Sequence, residues 1–331
     1  MQKIINEPRA FVDEMLEGLL LAHPEHLRSP APRVLARAGA PRKGKVAIVT
    51  GGGSGHLPLF LGYVGHGLAD AVAVGDVFSS PSAEQISQAT EAVDGGAGVL
   101  YLYGNYSGDV MNFDMAGEMC SAGGTEILTL LAADDVASAP RGSEARRRGI
   151  AGIAFLYKVA GARAEEGASL DEVVSVTERA AQGLRSMGVA LSPCVVPAAG
   201  KPTFDLPSGQ MEIGMGIHGE PGVRRGPLEK ASSIANDLVS QAVADLPYEA
   251  GDEVAVLVNG LGATPREELY LLFASVHAQL ASKGIEVRRT WVGEYATSLE
   301  MAGASVSLLR LDGEILRLLD APCDSPFVVR R

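Results

Sequence analysis

Lys45-Val-Ala-Ile-Val-Thr-Gly-Gly-Gly-Ser-Gly-His56 decides the fold of this chain. The apolar and β-branched run to Thr50 predicts a short strand buried on both faces. The glycines that follow are expected to turn the chain or open a helix, leaving backbone amides available to oxygen atoms. The same order recurs downstream. Ala69 to Val74 reads as a strand entering Gly75-Asp-Val-Phe-Ser-Ser-Pro-Ser82, and Gly98 to Tyr103 as a strand entering Gly104-Asn-Tyr-Ser-Gly-Asp109. Helix-like stretches follow, for instance from Ala83. Repeated strand, loop and helix predict a mainly parallel sheet, with ligands beyond the carboxyl ends of its strands. Three loops rich in glycine, serine and acidic residues converge there.

Outward from this core, an apolar stripe from Phe11 to Leu20 predicts an amphipathic helix over residues 8–22. His23 and His26, beside Pro24, read as a surface helix exit and not as a metal site. A helical stretch runs from Ser169 to Met187. Pro193, Pro197, Gly200 and Pro202 then place a domain crossing near 185–205. At 331 residues the chain is long for one core. The expected architecture is therefore α/β in two domains. Residues 1–185 form an N-terminal domain with a mainly parallel three-layer sheet; residues 186–331 form a smaller C-terminal domain with a mixed sheet. In the second, helices are expected over Pro227–Ala244 and Glu267–Ala281, a strand over Glu253–Val258, and strands around an Asp312-Gly313 hairpin before a short helix.

The second domain holds Gln210-Met-Glu-Ile-Gly-Met-Gly-Ile-His218-Gly-Glu-Pro-Gly222. Met211 to Ile217 reads as an extended segment delivering His218 to its end, with Gly219, Pro221 and Gly222 turning the chain. Glycines inside a strand mark a bulge or a close approach, so His218 is either a reactive side chain presented to a pocket or a turn residue bonded to local backbone. Asp109 is either a helix N-cap or an acceptor that orients a substrate hydroxyl, and Asp114 follows it. His56 is expected to be exposed by its glycine-rich turn. His66 and His277 read as structural or surface residues.

Net charge −12 opposes non-specific binding to nucleic acid or anionic membranes. No apolar run approaches the roughly 20 residues needed to span a bilayer. Cys120, Cys194 and Cys323 are scattered, without metal-ligand spacing, as suits a reducing cytoplasm. Gly39-Ala-Pro-Arg-Lys-Gly-Lys45-Val46 imitates a phosphate-binding loop but has Val46 in place of the hydroxyl residue and precedes a strand. Neither a nucleotide cofactor nor a metal is expected on this chain.

Gly51-Gly-Gly-Ser-Gly-His56, Gly75-Asp-Val-Phe-Ser-Ser-Pro-Ser82, Asn105-Tyr-Ser-Gly-Asp109 and Gly214-Met-Gly-Ile-His-Gly-Glu-Pro-Gly222 together resemble the substrate-binding subunit of the dihydroxyacetone kinase family. The likeness extends through Gly149 to Pro193 and Thr297 to Gly303. It implies a two-domain α/β subunit, a cytoplasmic homodimer, in which His218 bonds covalently to a short-chain ketose as a hemiaminal. Gly53, Ser54, Gly55 and His56 would contact the substrate, and Asp109 or His56 would take the proton of the hydroxyl that is phosphorylated. ATP or ADP with Mg²⁺ would sit on a separate nucleotide-binding subunit or domain, with either free ATP or a phosphotransferase relay as the donor. Two residues depart from the family pattern: Gly104 stands where a lysine is common, and Leu57 where a glutamate is usual. The loss at Gly104 suggests a longer ketose such as erythrulose. Relatives that sense ketose as co-activators of a transcription regulator, and plain sugar-binding proteins, supply the other readings.

Overall fold

The computed structural model describes residues 3–331, which divide into two compact units. The first comprises the chain up to Ala132, Ala154–Arg179 and Ile315–Arg331; the second comprises Ala133–Ile153 and Ala180–Glu314. The chain thus passes between units at 132/133, 153/154, 179/180 and 314/315, where the sequence suggested a single passage near 185–205.

Helix α1 (Phe11–Ala22) opens the first unit. Its sheet holds β1 (Leu27–Ala31), β2 (Val34–Arg37), β3 (Ala47–Ser54), β4 (Ala71–Val77), β5 (Val99–Gly104) and β6 (Ile127–Ala132), in the order β1-β2-β4-β3-β5-β6. The four strands β4, β3, β5 and β6 run parallel, and β2 and β1 extend the sheet antiparallel from β4. Helices α2 (Ala83–Val93) and α3 (Ser107–Ala122) cover one face, burying Ile86, Ala89, Val93, Phe113 and Ala116 against Val49, Ala73 and Tyr101. Alternate residues point to the other face. There Thr50 shares a 2.7 Å hydrogen bond with Tyr157 of α4 (Ile153–Glu165), which is followed by α5 (Leu170–Gln182). Helices on both faces of a parallel core make the expected three layers.

Capping explains the start of α2: the Ser82 side chain accepts from the Gln85 amide, while the Gln85 side chain accepts from the Ser82 amide.

The second unit's sheet contains β7 (Leu184–Ala190), β8 (Gln210–Ile213), β9 (Arg224–Pro227), β10 (Glu253–Gly260), β11 (Glu286–Gly293) and β12 (Gly303–Arg310), in the order β11-β10-β12-β7-β8-β9. Only β10 and β11 pair in parallel, so this sheet is mixed. Helices α6 (Ala231–Asp245) and α7 (Arg266–Ser282) cover it, burying Leu238, Val239, Leu269 and Val276 against Val189, Val256 and Val306. Arg147, with no exposed side chain, pairs with Asp245, which also holds Arg185.

Chain end returns to the first unit as α8 (Gly313–Asp320), β13 (Cys323–Asp324) and β14 (Val329–Arg330). Gly313 begins a helix, where the Asp312-Gly313 pair suggested a hairpin. Other boundaries also move: the helix expected from Pro227 starts at Ala231, and the one expected through Met187 stops at Gln182, before β7. Among the described residues, no helix is long and apolar enough to cross a membrane.

Candidate functional site

In the first unit, β3 extends through the glycine run to Ser54 instead of breaking at Gly51. These glycines admit neighbouring chain. A Cβ on Gly53 would lie 2.6 Å from the Ser79 amide and 2.8 Å from the Phe78 Cα. The loop after β4 therefore lies directly against the end of β3. The Ser54 hydroxyl, fully buried, donates to the Gly75 carbonyl at 2.8 Å and ties the two strand ends together. Gly55 takes φ +102°, which turns the chain toward His56.

His56 was expected at the surface; it is only 1% exposed. Its ring stacks on Phe78, with centroids 4.9 Å apart, and meets the edge of Phe60 at 6.2 Å. Both phenylalanines have positive φ, 57° and 65°. Bulky residues rarely adopt that region, at a cost of about 1–3 kcal/mol each, and such strain gathers at functional sites. The glycines did not foretell this aromatic enclosure.

Asp109 occupies the first turn of α3 and is 9% exposed. Tyr106 holds the cap position, so Asp109 is not the N-cap. The positive end of the helix nevertheless favours its carboxylate, and the Ser80 hydroxyl donates to it. The Phe78–Ser80 stretch thus touches His56 with one residue and Asp109 with another. Burial raises the Tyr157 hydroxyl pKa, the Thr50 hydrogen bond opposes this, and the Asp109 charge adds to it. Gly104 closes β5, buried, in register with Ala132.

His218 lies in the second unit, beyond β8. The strand is shorter than the sequence suggested, ending at Ile213, because Gly214 adopts φ +80° and its amide turns to the Gly188 carbonyl at 2.7 Å. A compact loop then presents the imidazole, with 24% of its side chain exposed. Glu220 grips it twice: Oε1 lies 3.1 Å from Nδ1, and Oε2 accepts from the His218 amide at 3.0 Å. Arg148 Nη1 approaches Glu220 at 3.7 Å, while Asp135 accepts from that guanidinium at 2.7 Å. Although burial raises the Glu220 pKa, the His218 hydrogen bond and charge and the nearby Arg148 bring it down to about 2. Burial pushes Asp135 up to about 6 against the opposing pull of Arg148.

Gly216 has a specific reason to lack a side chain. A Cβ there would fall 2.2 Å from Glu220 Oε2 and 2.4 Å from Arg148 Nη1. His218 stands out in the sequence, whereas Glu220, Arg148 and Asp135 do not. Glu220 was visible two residues away; nothing in the sequence linked Asp135 or Arg148, some 70 to 83 positions upstream, to the loop.

With a neutral imidazole, donation of the Nδ1 proton to an ionised Glu220 leaves the ring lone pair on Nε2. That is the form in which a histidine adds to an electrophilic carbon. The first unit thus carries strand-end loops with a buried histidine and aspartate, and the second, taken by itself, a carboxylate-clamped imidazole: a two-unit α/β protein with its candidate residues on loops.

The Dak1 domain matches residues 17–327, and the chain belongs to that family. It is 43% identical to the Listeria innocua protein named PTS-dependent dihydroxyacetone kinase 2, dihydroxyacetone-binding subunit DhaK, over 99% of both chains. It is also 44% identical to the Mycolicibacterium smegmatis D-erythrulose kinase, over 98% of this chain but 56% of that protein. Among solved structures, the dihydroxyacetone kinase operon co-activator Dha-DhaQ superposes with a TM-score of 0.89 at 33% identity, covering 96% of this chain and 97% of the other.

Proposed function

We propose that this chain is the ketose-binding subunit of a dihydroxyacetone-type kinase and that it holds its substrate as a hemiaminal on His218. The Glu220 clamp on His218 carries this reading. Nε2 adds to the C2 carbonyl carbon: one N–C bond forms as the C=O π bond opens, the oxygen takes a proton from water to become a hydroxyl, and the ring, cationic on addition, returns to neutrality by giving its Nδ1 proton through Glu220 to solvent. The positive charge that develops on the ring meets the Glu220 carboxylate. A covalent anchor suits a ligand with few atoms, each worth at most roughly 1.5 kcal/mol of non-covalent affinity, and it excludes polyols, which have no carbonyl.

Asp109 is assigned the role of orienting or deprotonating the hydroxyl to be phosphorylated, with His56 as the second candidate base and Gly53, Ser54 and Gly55 as backbone contacts. ATP or ADP with Mg²⁺ is assigned to a separate nucleotide-binding subunit or domain. The homodimer expected from the family is retained as the assembly.

A second substrate reading rests on Gly104 and on the similarity to D-erythrulose kinase: a pocket without the common lysine takes a four-carbon ketose. A regulatory role as a ketose-sensing co-activator has the Dha-DhaQ likeness in its favour.

The test is intact mass after incubation with ketose at mild pH, parent against His218→Ala. An adduct of one ketose on the parent alone is expected; the absence of a ketone-dependent adduct on the parent would overturn the anchor. Turnover of dihydroxyacetone and erythrulose with a supplied nucleotide-binding subunit decides the substrate. A marked preference for dihydroxyacetone removes the second reading, and no turnover with either favours the regulatory one.

A further inference from the structure

We propose that His23, Glu25 and His26, in the first unit, form a binding site for a borderline divalent cation of the zinc kind. The sequence His23-Pro-Glu-His26 follows directly on the last residue of α1. The sequence suggested a surface helix exit with no further ligand nearby, yet Glu25 lies between the two histidines and brings an oxygen to the same place. One ligand atom from each residue lies within 4.8 Å of the other two. His26 Nδ1 is 2.8 Å from Glu25 Oε1, and His23 Nδ1 is 4.0 Å from the same oxygen.

Backbone hydrogen bonds preorganise the site. The His23 carbonyl accepts from the amides of His26, at 3.1 Å, and Leu27, at 3.0 Å, closing a tight turn. The His26 carbonyl in turn accepts from the Ala38 amide at 2.8 Å. Both rings are held: His23 meets the edge of His26 at 6.2 Å and tilts against Phe327 at the same distance.

A fourth residue orients the second histidine. Asp324 Oδ1 lies 3.2 Å from His26 Nε2. The Asp324 backbone is fixed by paired hydrogen bonds with His66, both 2.9 Å. With the Nε2 proton donated to Asp324, Nδ1 keeps its lone pair on the side of Glu25 and His23. Carboxylate–histidine–metal arrangements use this device to fix the tautomer and raise ligand basicity.

The electrostatics agree. Helix α1 ends at Ala22 with no basic residue in its last turn, so its negative pole is left to favour a cation beside His23. Two imidazoles and one carboxylate suit Zn²⁺ and its neighbours more than Mg²⁺ or Ca²⁺, which take oxygen ligands. Glu25 and His26 line a cavity of about 290 Å³ with Arg37, Arg42, His66 and Asp324, leaving room for water as a further ligand. Both arginines are engaged by Glu165 and not by Glu25.

Calorimetric titration of the full-length protein, without a histidine tag, with ZnCl₂ tests the site, using MgCl₂ as the hard-cation control. The parent is expected to bind one equivalent of Zn²⁺ that is lost in His23→Gln and Glu25→Gln, with unchanged melting of both variants in the absence of metal. Asp324→Asn should weaken it by the roughly 10- to 100-fold typical of an outer-shell change. Ketose binding at His218 should be unaffected in all three, which separates this proposal from the one above. Equal zinc affinity and stoichiometry in the parent and in both ligand variants would assign the metal to other histidines and overturn the site, as would no zinc binding to the parent.

Discussion

Glu220→Gln is the substitution that most directly probes the imidazole clamp. The carboxylate accepts two hydrogen bonds from His218, at 3.1 and 3.0 Å, one through each oxygen. An amide has one acceptor oxygen, so it must offer its NH₂ group either to the backbone amide, where two donors collide, or to Nδ1. The second arrangement inverts the tautomer and places the proton on Nε2. The carboxyl pKa falls from 4.5 to about 2 in the folded protein, which at 1.36 kcal/mol per pH unit sets a ceiling of roughly 3 kcal/mol. Hydrogen bonds to charged groups contribute about 1.5–3 kcal/mol each. Ketose affinity should therefore weaken roughly 10- to 150-fold, as read by titrating adduct formation in intact mass spectra. Nitrogen NMR of His218 should show the proton moving from Nδ1 to Nε2. The fold should persist, since Arg148 keeps Asp135. Because the folded pKa is depressed, the clamp contributes fully above pH 4.5, and its contribution is lost as pH falls toward 2; the variant should lack that component of acid sensitivity. Unchanged affinity together with an unchanged tautomer would refute the reasoning.

Asp109→Asn should leave ketose binding nearly intact and lower phosphoryl transfer by about 10²- to 10⁴-fold, the usual range for a lost general base; steady-state kinetics with a nucleotide-binding subunit checks the split. Gly216→Ala should displace Glu220 and Arg148, since the added Cβ would lie 2.2 and 2.4 Å from their polar atoms. A loss of about 1–3 kcal/mol in stability, read by denaturant unfolding, should accompany a loss of adduct. Lys158, wholly buried and donating to the Leu318 carbonyl at 2.7 Å, has its pKa lowered by burial to about 8. The unfolded chain binds the extra proton between pH 8 and 10.5, so stability from this group should rise with pH across that window. Lys158→Met should flatten the rise in unfolding experiments at pH 8–10.

The parallel core was legible because β3, β4 and β5 are buried on both faces and read as continuous apolar runs ending in glycine. The antiparallel additions β1 and β2 were not: Arg28, Ser29 and Pro30 interrupt the apolar pattern, and β1 lies on the sheet edge. Near the candidate site, glycines marked where chain segments approach each other but not what approaches. The burial of His56 depends on Phe60 and Phe78 adopting positive φ, a state no residue pattern announces. The clamp on His218 draws on Arg148 and Asp135, brought in by tertiary packing, so only its near member could be read locally. The length of the His218 strand failed for a related reason: Gly214 can continue a strand or end it, and the backbone bond to Gly188 selects the latter.

The four passages of the chain between its units bear on how this protein can be made and cut. The first unit lacks one of its pieces, including the Leu318 carbonyl that receives the buried Lys158 ammonium, until Ile315–Arg331 has been synthesised. The second unit draws Asp135 and Arg148 from residues translated before most of its sheet. A gene fragment that stops at residue 185 would therefore encode neither unit whole. Excising either unit by itself would require circular permutation or two co-expressed pieces instead of a simple truncation.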